Sequence, residues 1–112
     1  MSAQLAIEFG DPVMSLAKQN AGKFRDGFCA WLASNRHVWR AFEREASRIW
    51  NRGRRHYSAR TICEVLRHES ALAEVGSEWK IDNNTAPDLA RLYALVHPAR
   101  AEMFRFRGRD AA

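Results

Sequence analysis

Five arginines, Arg36, Arg40, Arg44, Arg48 and Arg52, recur at every fourth position. An α-helix advances about 100° per residue, so a four-residue step turns the side chain by only about 40°. The five guanidinium groups therefore fan across one broad helical face. Val38, Trp39, Phe42, Ala46, Ile49 and Trp50 collect on the opposite arc, with Glu43 and Glu45 near the two borders. The spacing predicts a helix over 36–52 that buries aromatics on one side and displays arginine on the other.

The elements around it follow from the same kind of reading. Phe24, Phe28, Trp31 and Leu32 predict a helix over 24–34, and Asn35 both ends it and caps the next. Gly53 is a C′ residue for the arginine helix. Ser58 is the N-cap of a third helix, with Tyr57 and Ile62 at the spacing of a hydrophobic staple and Ile62, Val65 and Leu66 as its core stripe. Residues 78–81 form a short extended segment and Asp82-Asn83-Asn84 a turn. Thr85 and Asp88 make an N-cap and N3 pair for a fourth helix, which buries Leu89, Leu92, Tyr93 and Val96 and stops at Pro98. Gly10, Asp11 and Pro12 break regular structure in the first part of the chain. The expected fold is all-α, a compact bundle of four to five helices with at most one short strand or hairpin near 78–84. The expected organisation is a weakly ordered N-terminal arm (1–23), a single helical domain (24–104) and a basic C-terminal tail (105–112).

A chain of 112 residues suits one domain with a modest core. Cys29 and Cys63 lie inside apolar helical patterns and read as small buried hydrophobes in a reducing compartment, not as a disulfide. No run has the form of a signal peptide or a membrane span, so a soluble intracellular protein is expected.

The net charge of +5 is unevenly placed. Residues 36–60 carry eight arginines against two glutamates, whereas 61–96 carry three basic and six acidic groups. Of the 18 basic residues, 15 are arginine, whose planar fork makes bidentate contacts to phosphate and stacks on bases. Like charges at i, i+4 cost a few tenths of a kcal/mol per pair. A surface without a partner would be better served by mixed signs, so the pattern argues for a negative ligand.

Three further constellations are weaker. His56, Cys63 and His68 lack the tight paired spacing and the fourth ligand of a zinc site. Glu78-x-Lys80 has the form of a nuclease element, but no second carboxylate stands ready to hold Mg²⁺. The basic amphipathic helix suits an anionic membrane, yet its apolar face is needed by the core. No metal, cofactor, membrane or catalytic role is expected.

The runs Gly53-Arg54-Arg55-His56-Tyr57-Ser58-Ala59-Arg60, Trp79-Lys80-Ile81-Asp82-Asn83-Asn84, Ala90-Arg91-Leu92-Tyr93 and His97-Pro98 resemble a small, poorly characterised class of phage and prophage proteins. The resemblance covers residues 28–107 and implies a phage or mobile-element context.

The expected function is non-catalytic nucleic-acid binding, with DNA before RNA. Arg36, Arg40, Arg44, Arg48 and Arg52 would contact phosphates, with Arg54, Arg55, His56 and Arg60 extending the strip. Asn83, Asn84 and Arg91 would add contacts to bases, because an amide can donate and accept as adenine requires. The alternative is a phage inhibitor or regulator, for example an anti-defence protein, that pairs the same arginines with an acidic surface of a host protein. A homodimer is compatible with either.

Overall fold

The computed structural model describes residues 11–73, 79, 81–82 and 84–104. Among them are five α-helices: α1 (Pro12–Gln19), α2 (Phe28–Ser34), α3 (Arg36–Asn51), α4 (Ala59–Ala73) and α5 (Thr85–Val96). Two 3₁₀ turns, Ala21–Lys23 and Pro98–Arg100, complete the described elements. The all-α expectation holds. The described residues contain no strand, only a parallel bridge between Tyr57 and Phe104. Of the hairpin region, 78, 80 and 83 lie outside the described residues, and Trp79, Ile81 and Asp82 adopt no regular structure. No helix among the described residues is long and apolar enough to cross a membrane.

Helix α5 is the hub. It packs against α1, α3 and α4 and turns back through the Pro98–Arg100 segment. Its Leu89, Leu92 and Tyr93 are fully buried, and Trp39 and Phe42 of α3 are buried in the same cluster. Phe42, Tyr93 and Phe104 meet at ring-centroid distances of 5.4–6.4 Å. Burial of large apolar side chains at about 1.5–3 kcal/mol each makes this cluster the main support of the fold.

Helix α1 corrects the expectation of a weakly ordered arm over 1–23, as far as residues 11–23 are concerned. Asp11 and Pro12 start a helix instead of breaking one. The Asp11 carboxylate accepts from the Met14 backbone N–H at 3.2 Å, and Pro12 occupies the first turn, where a missing N–H costs nothing. Ala17 is then fully buried. Residues 1–10 and 105–112 lie outside the described residues.

Two other local expectations shift. The 24–34 helix begins only at Phe28, because Gly27 takes φ +88° ahead of it; Phe24 still stacks on Phe28 at 4.8 Å. At the start of α5 the cap is not Thr85. Asp82 Oδ1 accepts from the Asn84 N–H, the Thr85 N–H and the Thr85 hydroxyl, each at 2.9 Å. Asp88, expected as the N3 partner of Thr85, is 1 % exposed and lies between Arg25 and Arg91. Burial raises its carboxyl pKa, opposed by the Arg25 N–H and the two guanidinium charges.

The end of α3 is as expected. Gly53 has φ +95°, the Gly53 N–H donates to the Trp50 carbonyl at 2.9 Å and the Arg54 N–H to the Ile49 carbonyl at 3.3 Å. These two bonds form a Schellman cap, and they fold residues 54 and 55 back over the last turn of the helix.

Candidate nucleic-acid interface

The fan of arginines on α3 winds about 160° from Arg36 to Arg52, so its two ends reach the helix borders while its middle faces solvent. Arg36, at one border, is drawn inward to an ion pair with the Asp11 carboxylate and is only 22 % exposed. It therefore ties α1 to α3 and is removed from the displayed strip. Arg40, Arg44, Arg48 and Arg52 are exposed. Successive members rise about 6 Å along the axis, a step comparable to that between phosphates of one strand.

The acids expected at the borders are both engaged. Glu45 receives a hydrogen bond from Arg48 Nε at 2.9 Å, which lowers its pKa together with the charges of Arg48, Arg52 and Arg44. Glu43 turns away from the strip to His97, whose Nε2 lies 2.8 Å from its carboxylate. Arg40, Arg44, Arg52 and Arg54 then make no ion pair among the described residues.

Past the cap, the cationic surface continues. The Arg55 guanidinium lies 4.1 Å from the Trp50 ring centroid and donates to the Trp50 carbonyl at 2.9 Å. Arg54 lies 5.8 Å from the Tyr57 ring. His56 is exposed, with Nδ1 3.3 Å from the Glu102 carbonyl. The Tyr57 N–H donates to the Met103 carbonyl at 2.9 Å, so this loop is fastened at both ends. Arg60 departs from the strip toward Glu64, 3.6 Å away on its own helix.

Of the residues expected to read bases, Asn84 and Arg91 are described. Asn83 lies outside the described residues. Asn84 is exposed. Arg91 is 20 % exposed and pairs with the buried Asp88 at 3.1 Å. An uncompensated carboxylate at that depth is costly, and Arg91 and Arg25 are placed to offset it.

Two participants carry no sequence signal. Arg100 donates from Nη1 to the Tyr93 hydroxyl at 2.9 Å and to Ser47 Oγ at 3.3 Å, and its guanidinium sits 5.5 Å from the Trp50 ring. Ser47 stands three residues after Arg44 on α3, so Arg100 adds a cation at the edge of the strip. His97 withdraws Glu43, as described above. Neither the Arg100–Ser47 nor the His97–Glu43 pairing shows in the chain, because the partners lie 53 and 54 residues apart in sequence.

Among the described residues no group of three His, Cys, Asp or Glu side chains is arranged to hold a metal ion. Cys63 points into the core at 1 % exposure, and burial pushes its thiol pKa up to about 12, whereas His56 and His68 are exposed. Comparison with protein-family models, with curated proteins and with solved structures finds no match.

Proposed function

We propose that this protein binds nucleic acid without catalysing a reaction on it, through phosphate contacts from Arg40, Arg44, Arg48, Arg52 and Arg54. The phage or prophage setting comes from the sequence resemblance. One observation carries the reading. Four exposed guanidiniums of this surface lack an ion pair among the described residues, while Glu43 is held by His97. Three like-charged i, i+4 steps on α3, with a fourth to its C-cap Arg52, cost on the order of 1–2 kcal/mol in helix stability before pairing is counted. Such a cost is recovered when phosphates neutralise the strip and release condensed counterions.

The test is the variant Arg40→Ala/Arg44→Ala/Arg52→Ala. These side chains make no ion pair among the described residues, so their removal leaves the fold intact. The expected outcome is binding to labelled oligonucleotides weakened by about tenfold or more at low salt but still measurable, with an unchanged helical circular-dichroism spectrum. Wild-type binding by the variant would sink the proposal. Absence of binding by the wild-type protein itself would favour the other reading, an acidic host-protein surface, which a pull-down from host lysate then addresses.

A further inference from the structure

We infer that the ligand of this surface is single-stranded nucleic acid, DNA or RNA, and that the Trp50–Arg55 stack at the end of α3 is its base-stacking platform. This inference rests on the nucleic-acid reading above and narrows it to a substrate class.

A guanidinium within about 6 Å of an aromatic ring centroid is attracted to the ring face. Here three such pairs fall in one patch: Arg54 on Tyr57, and both Arg55 and Arg100 on Trp50. Their placement is imposed by the backbone. The positive φ of Gly53 reverses the chain, and the Schellman bonds set residues 54 and 55 over the final turn. The bond from the Tyr57 N–H to the Met103 carbonyl then fixes the far end of the loop.

Arg55 is the member best suited to meet a base. Its guanidinium is held by the indole at 4.1 Å and by the Trp50 carbonyl at 2.9 Å, yet the residue is exposed. The orientation of that planar group is thus set before a ligand arrives, and its ordering cost is not charged to binding. A flat guanidinium backed by an aromatic ring continues naturally into a stack with a nucleobase. Bases of a single strand offer open π-faces. Bases inside a duplex are covered above and below by their neighbours, so the platform has nothing to stack on except at an end. The adjoining arginines serve the backbone of the same strand: Arg52 and Arg54 flank the cap, and Arg48, Arg44 and Arg40 follow at steps of about 6 Å along α3. A backbone track beside a stacking platform is the arrangement that binds single strands with little regard to sequence.

The experiment measures fluorescence anisotropy of oligo(dT) and oligo(U) of about 12 nucleotides, and of a DNA duplex of the same length, against the full chain. The wild-type protein, Arg55→Lys and Arg55→Ala are compared. Lysine keeps the positive charge but loses the planar face. Both single strands are included because the stack reads the base face and not the sugar. The expected result is tighter binding of at least one single strand than of the duplex. Arg55→Lys should weaken that strand by about fivefold or more while leaving the salt slope and duplex binding unchanged. Arg55→Ala should weaken it at least as much. Equal or tighter duplex binding, or full single-strand affinity in Arg55→Lys, overturns the inference and leaves the phosphate-strip proposal standing. Failure of all three ligands to bind at low salt overturns both.

Discussion

Asp82 shows how one carboxylate starts a helix from outside it. Its Oδ1 takes three hydrogen bonds, from the Asn84 N–H, the Thr85 N–H and the Thr85 hydroxyl. The hydrogen bond from the Thr85 hydroxyl is the largest cause of its lowered pKa, with the Thr85 and Asn84 N–H groups and the Arg25 charge adding to it. A carboxyl pKa lower in the folded than in the unfolded state stabilises above its unfolded value, and that contribution is lost as pH falls through the folded value. Asp82→Ala should therefore cost about 1 kcal/mol at neutral pH. The gap to wild type should close as the pH drops below the ordinary aspartate range. Urea melts across pH check both the size and the direction. Cys63 is sealed in the core. With its thiol raised to about 12 and 1 % exposed, it should resist iodoacetamide at pH 8 in the native protein and react on denaturation. Mass spectrometry of the Cys63 peptide reads the result.

At the scale of elements, the arginine helix depends on how it ends. Gly53 has φ +95° with no atom within 4 Å of where a Cβ would stand, so a substitution there meets backbone strain without steric crowding. Gly53→Ala should lower stability by about 1 kcal/mol, visible as a reduced thermal midpoint. This cap was legible in the chain because a helix end with glycine at C′ is a local pattern. The four-residue arginine period and its buried counterpart were legible for the same reason. Helix α1 was not, since Asp-Pro marks a turn as readily as a helix start; only the Asp11 bond to the Met14 N–H and the docking of Ala17 decide between them. The fate of Arg91 was equally hidden. A basic residue after a turn looks like a surface contact until Asp88, three positions earlier, proves to be buried beneath it.

For the whole molecule, the local periods define which faces are apolar and which are charged, but not what lies opposite each charge. Glu43 looks in sequence like a counterion for the strip, and the fold assigns it to His97, 54 positions away. Arg100 has no local signal, and the turn after α5 delivers it to Ser47 and Trp50. The result is a cationic surface on α3 and its following loop, backed by an aromatic core and bordered by the acids of α4. Its central consequence is electrostatic. Four to six phosphate contacts imply that log K falls with log salt at a slope of about −4 to −5 on duplex DNA, and somewhat less steeply on a single strand. The most direct measurement is that slope, from anisotropy titrations of wild type and of Arg40→Ala/Arg44→Ala/Arg52→Ala over a range of salt concentrations. A phosphate-contacting strip gives a steep negative slope that becomes shallower by about two to three in the variant. A slope near zero in the wild type, or the same slope in both proteins, would contradict it.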